Sequence, residues 1–142
     1  MIKIIEKKSE FNAALNGERI VNKSLNQGLH EIGMENVTYM RKLVKQGSKT
    51  GKLYRIKGRL HRASAPGEAP ANLTGSLVRS MNYKVSSPYH LEFGDEAEHG
   101  LYLEAGTRNM EKRPHIERTV IEKEKDNENS LIKAAEREFK KI

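Results

Sequence analysis

Cysteine and tryptophan are absent from this chain of 142 residues, and aromatic residues make up only 6% of it. Without cysteine the chain forms no disulfide bond and offers no thiolate to a metal, which fits synthesis in a reducing cytoplasm. The sequence also lacks any apolar run as long as a signal peptide or a membrane span requires. We therefore expect a soluble protein with no membrane partner.

Apolar residues are scarce as well. They make up 36% of the chain, against the roughly 45–50% that is usual for soluble domains, while charged residues make up 32%. The length suits one domain over residues 1–142. A thin core combined with periodic helices is typical of a subunit that completes its burial against other chains, so we expect a component of an assembly.

The charges are unevenly distributed. Twenty-six Lys and Arg against nineteen Asp and Glu give a net charge of +7, which favours contact with a polyanion or with an acidic protein surface. Residues 41–62 hold nine Lys or Arg and no acid, whereas residues 92–104 hold five acids and neither Lys nor Arg. One chain thus carries a basic and an acidic segment.

Apolar residues at three- and four-residue steps predict a long amphipathic helix over residues 18–45. Gly28 and Gly33 interrupt its pattern and mark either close packing or a bend. Before this helix, the alternation of Ile2 and Ile4 with charged residues predicts a short edge strand, and Ser9 has the character of a helix cap.

Period-two alternation over residues 53–60 predicts a strand or hairpin arm, with Leu53, Arg55, Lys57 and Arg59 on one cationic face. Residues 61–72 contain two prolines and many small residues, which predicts an extended loop. We expect residues 48–73, the hairpin and this Pro/Ala loop, to become ordered on assembly.

The second half of the chain alternates short elements. Thr74 is a candidate cap for a short helix, two strands are predicted near residues 83–85 and 90–93, and a last helix begins at Pro114. The polar residues 122–130 leave open whether residues 114–142 form one helix or two. The expected fold is α+β, with a small antiparallel sheet flanked by the long N-terminal helix and the C-terminal helix, and with an extended basic loop arm.

No pattern in the sequence indicates catalysis. The segment of residues 47–53 has three rather than four residues between its glycines, and Leu53 rather than Ser or Thr follows Lys52, so it does not match a phosphate-binding loop. The five histidines lack metal-ligand spacing, and the chain has only two aspartates. We predict no enzymatic activity, no metal and no cofactor.

Non-specific binding to DNA is an alternative, because the basic residues 41–62 include Tyr54 and can neutralise several phosphates. The segment lacks a recognition-helix motif, and its aromatic residues are too few for a stacking platform. An electrostatic role inside an assembly accounts for the same charges.

Three motifs, taken in order, resemble a protein family. They are Tyr54-Arg55-x-x-Gly58-Arg59-x-His61-Arg62 running on to Pro70, then Thr74-Gly75-x-Leu77-x-x-Ser80, then Tyr102-Leu103-Glu104-x-Gly106-Thr107 with Arg113-Pro114. This series is similar to the small neck or tail-completion proteins of tailed bacteriophages. The chain departs from the family at His115, where such proteins usually carry an aromatic residue after the proline.

The resemblance implies a structural virion protein that forms a homo-oligomeric ring, six-fold in expectation, at the junction of tail and DNA-filled head. Its neighbours would be head-closure or connector proteins and tail-terminator or tail-tube proteins, after assembly in the host cytoplasm. A tail terminator that caps the tail tube is the alternative role. Ring contacts join two unlike faces, and the opposed charges supply such a pair. The predicted basic arm comprises Lys49, Lys52, Arg55, Lys57, Arg59 and Arg62, and the predicted acidic face comprises Glu92, Asp95, Glu96, Glu98 and Glu104.

Within the motifs, we expect Thr74 to cap a helix, Gly75 to allow a close backbone approach and Leu77 to be buried. Glu104 and Arg113 are expected to form an ion pair that fixes the turn at Gly106. The residues to which we assign structural roles are Pro66, Gly67, Pro70, Thr74, Gly75, Leu77, Gly106, Thr107, Arg113 and Pro114.

Overall fold

The computed structural model describes the backbone of residues 2–141 and the side chains of residues 16–141. Its elements in chain order are α1 (Ile2–Gln46), β1 (Leu53–Ile56), β2 (Arg59–Arg62), α2 (Ser76–Ser80), β3 (Met81–Ser87), β4 (His90–Asp95), α3 (Glu98–Ala105) and α4 (Ile116–Phe139). The strands form two separate antiparallel pairs, β1 with β2 and β3 with β4. The predicted α+β fold with long first and last helices is confirmed, with two small sheets in place of one.

Helix α1 begins earlier than the sequence suggested. It includes Ile2, so the predicted edge strand is wrong, and Ser9 lies inside the helix rather than at its start. Two alternating apolar residues are too short a pattern to distinguish a strand from a helix. At the other end, the amide of Gly47 donates to the Leu43 carbonyl and closes the last turn.

Helix α4 runs antiparallel along α1. Arg137 near its end pairs with Glu31 of α1 at 2.6 Å, while Glu122 near its start accepts a hydrogen bond from Tyr39. Gly28, which precedes Glu31 in α1, lies against Leu131 of α4, and an added Cβ would be 2.9 Å from the leucine side chain. The last helix is therefore one helix, and its polar middle is the solvent side of an amphipathic element.

The core lies where α1, α2 and the sheet of β3 and β4 meet. Buried side chains from three elements form one cluster: Val37, Met40, Val44, Leu77, Val78 and Met81. Tyr83, Phe93, Leu103 and Ile116 pack around it. The burial of Leu77 is thus confirmed, and the β3 and β4 pairing places Tyr83 opposite Phe93.

Gly33 marks close packing rather than a bend, since α1 is continuous through it. A Cβ at this position would lie 2.3 Å from the Tyr83 ring, which β3 holds against the helix. We expect Gly33→Ala to lower the free energy of unfolding by about 1–3 kcal/mol, because the ring must move.

Gly17 in the same helix is the matched control. An added Cβ there meets nothing within 4 Å, so Gly17→Ala is expected to raise the free energy of unfolding by up to about 1 kcal/mol. Urea denaturation followed by circular dichroism measures both. Equal effects of the two substitutions would contradict the packing assigned to Gly33.

Candidate functional site

The predicted arm is a β-hairpin. Its turn consists of Lys57 and Gly58, whose φ values of 46° and 80° are those of a two-residue type I′ turn. The turn sets the register, in which Tyr54 lies opposite His61 and the two rings meet edge to face with centroids 5.2 Å apart. The strands pair chiefly with each other, and the hairpin makes no extensive contact with another helix or strand of the described chain.

The prediction of a single cationic face is wrong. Ile56 pairs with Arg59, so Arg59 shares a face with Ile56, while Arg55 shares the opposite face with Leu60. Side chains alternate between the two faces within each strand, but the two-residue turn interrupts this alternation, so odd-numbered residues of β1 share a face with even-numbered residues of β2. A prediction that continues the alternation through the turn misses this shift. The arginines of the hairpin therefore project from both faces.

Two of the predicted arm residues have local roles. The ammonium group of Lys49 donates to the Leu43 carbonyl at 3.2 Å and so caps α1, and burial lowers the pKa of this lysine. The Arg62 guanidinium donates to the Gly51 carbonyl at 3.2 Å. The other four form no ion pair or side-chain hydrogen bond with a described residue: Lys52, Arg55, Lys57 and Arg59.

Large apolar side chains are exposed beside these cations. Leu53 is 52% exposed and Leu60 is 65% exposed, and Leu73 in the following loop is 52% exposed. Ile56, Leu60 and Leu73 line a groove of about 490 Å³ together with Lys57 and Arg59. The hairpin thus offers an apolar groove bordered by positive charge.

The Pro/Ala loop packs against other residues of its own chain. Ala69 and Pro70 are buried, whereas Pro66 and Gly67 are exposed. The amide of Gly67 donates to the Lys112 carbonyl at 3.0 Å, which ties the loop to the segment before α4.

Glu68 holds the loop to the base of the hairpin. Its carboxylate accepts hydrogen bonds from the Ala65 amide and from both the hydroxyl and the amide of Thr50. The Ala65 and Thr50 hydrogen bonds lower the pKa of Glu68 to about 2. The loop and the hairpin are therefore joined through one ionised side chain.

The predicted acidic face divides into two groups. Glu92, Glu96 and Glu98 are exposed, and among them only Glu92 has an ion pair with a described residue, namely His90 at 2.8 Å. Asp95 and Glu104 instead point inward to the same buried residue, His115. The exposed part of the predicted acidic face therefore consists of these three glutamates.

His115 lies between two carboxylates and is fully buried. Its Nε2 is 2.7 Å from Asp95 Oδ2 at the end of β4. Its Nδ1 is 3.1 Å from Glu104 Oε2 on α3, within ion-pair distance but poorly aligned for a hydrogen bond. The three residues join β4, α3 and the start of α4, and we call them the His115 junction.

Glu104 also caps α4. One carboxylate oxygen accepts hydrogen bonds from the amides of His115 and Ile116 at 2.8 and 3.0 Å, and the other accepts from the Glu117 amide at 2.7 Å. These amides have no partner within the helix, so a carboxylate is the favoured group at this position. The predicted ion pair of Glu104 with Arg113 is wrong, since the Arg113 guanidinium donates to the Ser64 carbonyl.

Opposing influences set the pKa values of the His115 junction. For Glu104, burial raises the pKa, but the hydrogen bonds from His115, Glu117 and Ile116 outweigh it and hold the pKa at about 2. For His115, burial lowers the pKa, but contacts with Glu104 and Asp95 outweigh it and raise the pKa. The junction therefore favours an imidazolium between two carboxylates.

This charge arrangement predicts a pH dependence of stability. Because the pKa of His115 is raised in the folded state, its contribution to the free energy of unfolding is complete below pH 6.5 and is lost as the pH rises through the pKa of the folded state. The contributions of Glu68 and Glu104 to the free energy of unfolding are complete above pH 4.5 and are lost as the pH falls towards 2. Thermal unfolding should give the highest melting temperature between pH 4.5 and pH 6.5. His115→Gln should remove the decline on the alkaline side, and an unchanged decline in that variant would contradict the assignment.

Gly100 allows Asp95 to reach His115. A Cβ at position 100 would lie 1.7 Å from Asp95 Oδ1, so α3 packs directly on the carboxylate. Beyond α3, Gly106 has a φ of 78°, which favours glycine, and the Thr107 amide donates to the Met110 carbonyl at 2.8 Å. Pro114 is buried beside His115, so the motif around these residues builds the junction.

The second motif starts α2 in a different way from the prediction. Gly75 occupies the position directly before α2, and Thr74, one residue earlier, accepts a hydrogen bond from the Ser76 amide through its hydroxyl at 3.4 Å. A glycine suits position 75 because its φ is 79°, not because another group packs closely against it. The nearest group to an added Cβ is the far end of the flexible Arg79 side chain.

The His115 junction was not predicted from the sequence. The available signal in the sequence is His115 itself, a histidine after Arg113-Pro114 where the family that the chain resembles usually carries an aromatic residue. Among the side chains that the structure describes, no group of three or more His, Asp or Glu is placed to hold a metal ion. At the junction the two carboxylates contact opposite nitrogens of one ring, so the three side chains do not converge on a common point.

Comparison with known proteins gives no relative: no family model, no curated protein and no solved structure matches the chain. Over residues 2–141, no helix is long and apolar enough to cross a membrane.

Proposed function

We propose that this chain is a structural subunit of a tailed bacteriophage particle, where it forms a closed ring at the head–tail junction. The observation that carries the proposal is the hairpin, whose four unpaired cations and exposed leucines have no counterpart among the described residues of their own chain. The motif series of the sequence supplies the link to phage neck and tail-completion proteins.

The charges support an association of unlike faces. The basic hairpin lies in a different part of the chain from the exposed Glu92, Glu96 and Glu98. Each subunit therefore offers one basic surface and one acidic surface. Heterologous contacts of this kind close into a ring when the rotation between subunits permits it. The ring would bind a connector or head-closure protein on one side and a tail protein on the other.

The rigid parts of the chain suit such a role. The loop after the hairpin is tied to its own chain through Glu68 and through the Lys112 carbonyl, so the hairpin has a fixed base. Preorganised surfaces lose less conformational entropy when they associate. A ring subunit benefits from this, because each copy must present the same geometry.

The position and copy number of the chain in purified particles test the proposal. We expect the chain at the head–tail junction, in a number equal to one symmetric ring. Its absence from particles would overturn the proposal, whereas a position at the far end of the tail tube would favour a tail terminator.

Binding to DNA is the second candidate, and the four unpaired hairpin cations favour it. Three other members of the basic run are engaged locally, because Arg41 donates to the Met81 carbonyl, Lys49 to Leu43 and Arg62 to Gly51. The basic surface that can contact DNA phosphates is therefore smaller than the sequence suggests. A salt-sensitive complex with duplex DNA at about 10⁻⁶ M or tighter, formed by a monomer, would favour this candidate.

A further inference from the structure

The groove beside the hairpin has a complement elsewhere on the chain. It is lined by Ile56, Leu60 and Leu73 and bordered by Lys57 and Arg59. An occupant that fits therefore has an apolar side chain next to a negative charge. Helix α3 presents this combination.

Glu98 and Leu101 are three residues apart on α3 and share one side of the helix. Glu98 is exposed, and it has no ion pair with a described residue. Leu101 is 69% exposed, whereas Gly100 beside it in α3 is buried. Together they form an apolar knob beside an acid.

Leu101 cannot enter the groove of its own chain. His99 and Leu103 line a cavity with Leu73 and Leu77, while Gly100 and Glu104 face Asp95 and His115, so these four residues mark the sides of α3 that face the chain. Leu101 is two residues from His99 and from Leu103, a turn of about 200°, and its 69% exposure places it outside the packed sides. If Leu101 occupies a groove of this kind, the groove belongs to another molecule.

We propose that the groove of one copy receives Leu101 and Glu98 of a second copy, with Arg59 and Lys57 facing Glu98. This inference rests on the proposed ring and names its contact. Leu101 acts as the central apolar anchor, while the charges around it select the partner and its orientation. Because groove and knob share no residue, each copy can use both at once and the contact repeats from subunit to subunit.

A charge swap tests the pairing. Arg59→Glu and Glu98→Arg should each weaken self-association of the full chain at least about tenfold, and Leu101→Asp about thirtyfold or more. The double variant R59E/E98R should return to within about threefold of the original chain, because the pair is restored with reversed signs. Glu124→Arg on α4 is the matched control, since Glu124 is exposed and has no ion pair with a described residue.

Sedimentation velocity measures the association, and circular dichroism checks that helix content is retained. The inference is overturned if the double variant associates no better than the single ones, or if Leu101→Asp associates normally. If hairpin variants prevent association while Glu98→Arg and Leu101→Asp do not, the hairpin binds another surface and the ring proposal stands. If the unchanged chain never associates, both proposals fail.

Discussion

Reversing three charges of the hairpin, Arg55→Glu, Arg59→Glu and Arg62→Glu together, is expected to abolish assembly and to leave the helices intact. All three side chains are exposed, and among contacts with described residues only Arg62 has a hydrogen bond, at 3.2 Å to the Gly51 carbonyl. The substitutions therefore remove little that stabilises the monomer. In the proposed ring they convert an attractive contact with exposed glutamates into a repulsive one, which costs several kcal/mol at an interface.

The control for this experiment has the same change in net charge at another place. Lys125→Glu, Lys133→Glu and Lys140→Glu lie on or just after α4, where all three side chains are exposed. This triple variant should assemble like the original chain. Size-exclusion chromatography with light scattering reports the mass, and far-UV circular dichroism reports the helix content. Assembly that survives reversal of the hairpin charges would reject the hairpin as a subunit contact.

Replacing Glu104 is expected to have the largest effect on the fold. Glu104→Ala should lower the free energy of unfolding by about 2–4 kcal/mol, because one carboxylate serves two purposes. Its loss leaves the amides of His115, Ile116 and Glu117 without their acceptor. It also leaves the buried imidazolium with Asp95 alone.

Two further variants separate these purposes. In Glu104→Gln one oxygen still accepts hydrogen bonds while the charge is gone, so we expect an intermediate loss. In a His115→Gln background, the cost of Glu104→Ala should be smaller, because no imidazolium is left unpaired. Glu111→Ala, at an exposed position before α4, should change the free energy of unfolding by less than about 0.5 kcal/mol. An equally small effect of Glu104→Ala in urea denaturation would contradict the role of the cap.

Local pattern was enough to predict much of the fold. The stripe of apolar residues over 18–45 predicted most of α1, and the short apolar segments near residues 83–85 and 90–93 predicted the strands β3 and β4. These features depend on periods of 3.6 and 2 within a single segment. The strand at Ile2 failed because too few residues were available to establish a period.

The candidate site was harder to predict, because its contacts join distant segments. Asp95 and Glu104 were read as members of one acidic surface, but the fold turns both towards His115, which lies 20 and 11 residues further along the chain. Charge segregation in a sequence does not distinguish an exposed acid from one that accepts buried hydrogen bonds. The contact of Lys49 with the Leu43 carbonyl is also beyond local pattern, because it depends on how the chain turns after α1.

The mass of the unchanged chain in solution tests the central claim most directly, that unlike surfaces of identical copies bind each other. One chain has a mass of 16.2 kDa. Sedimentation equilibrium over a wide concentration range should show a closed oligomer, six-fold in expectation, that dissociates as salt is raised. A single 16.2 kDa species at every concentration and salt would contradict the account.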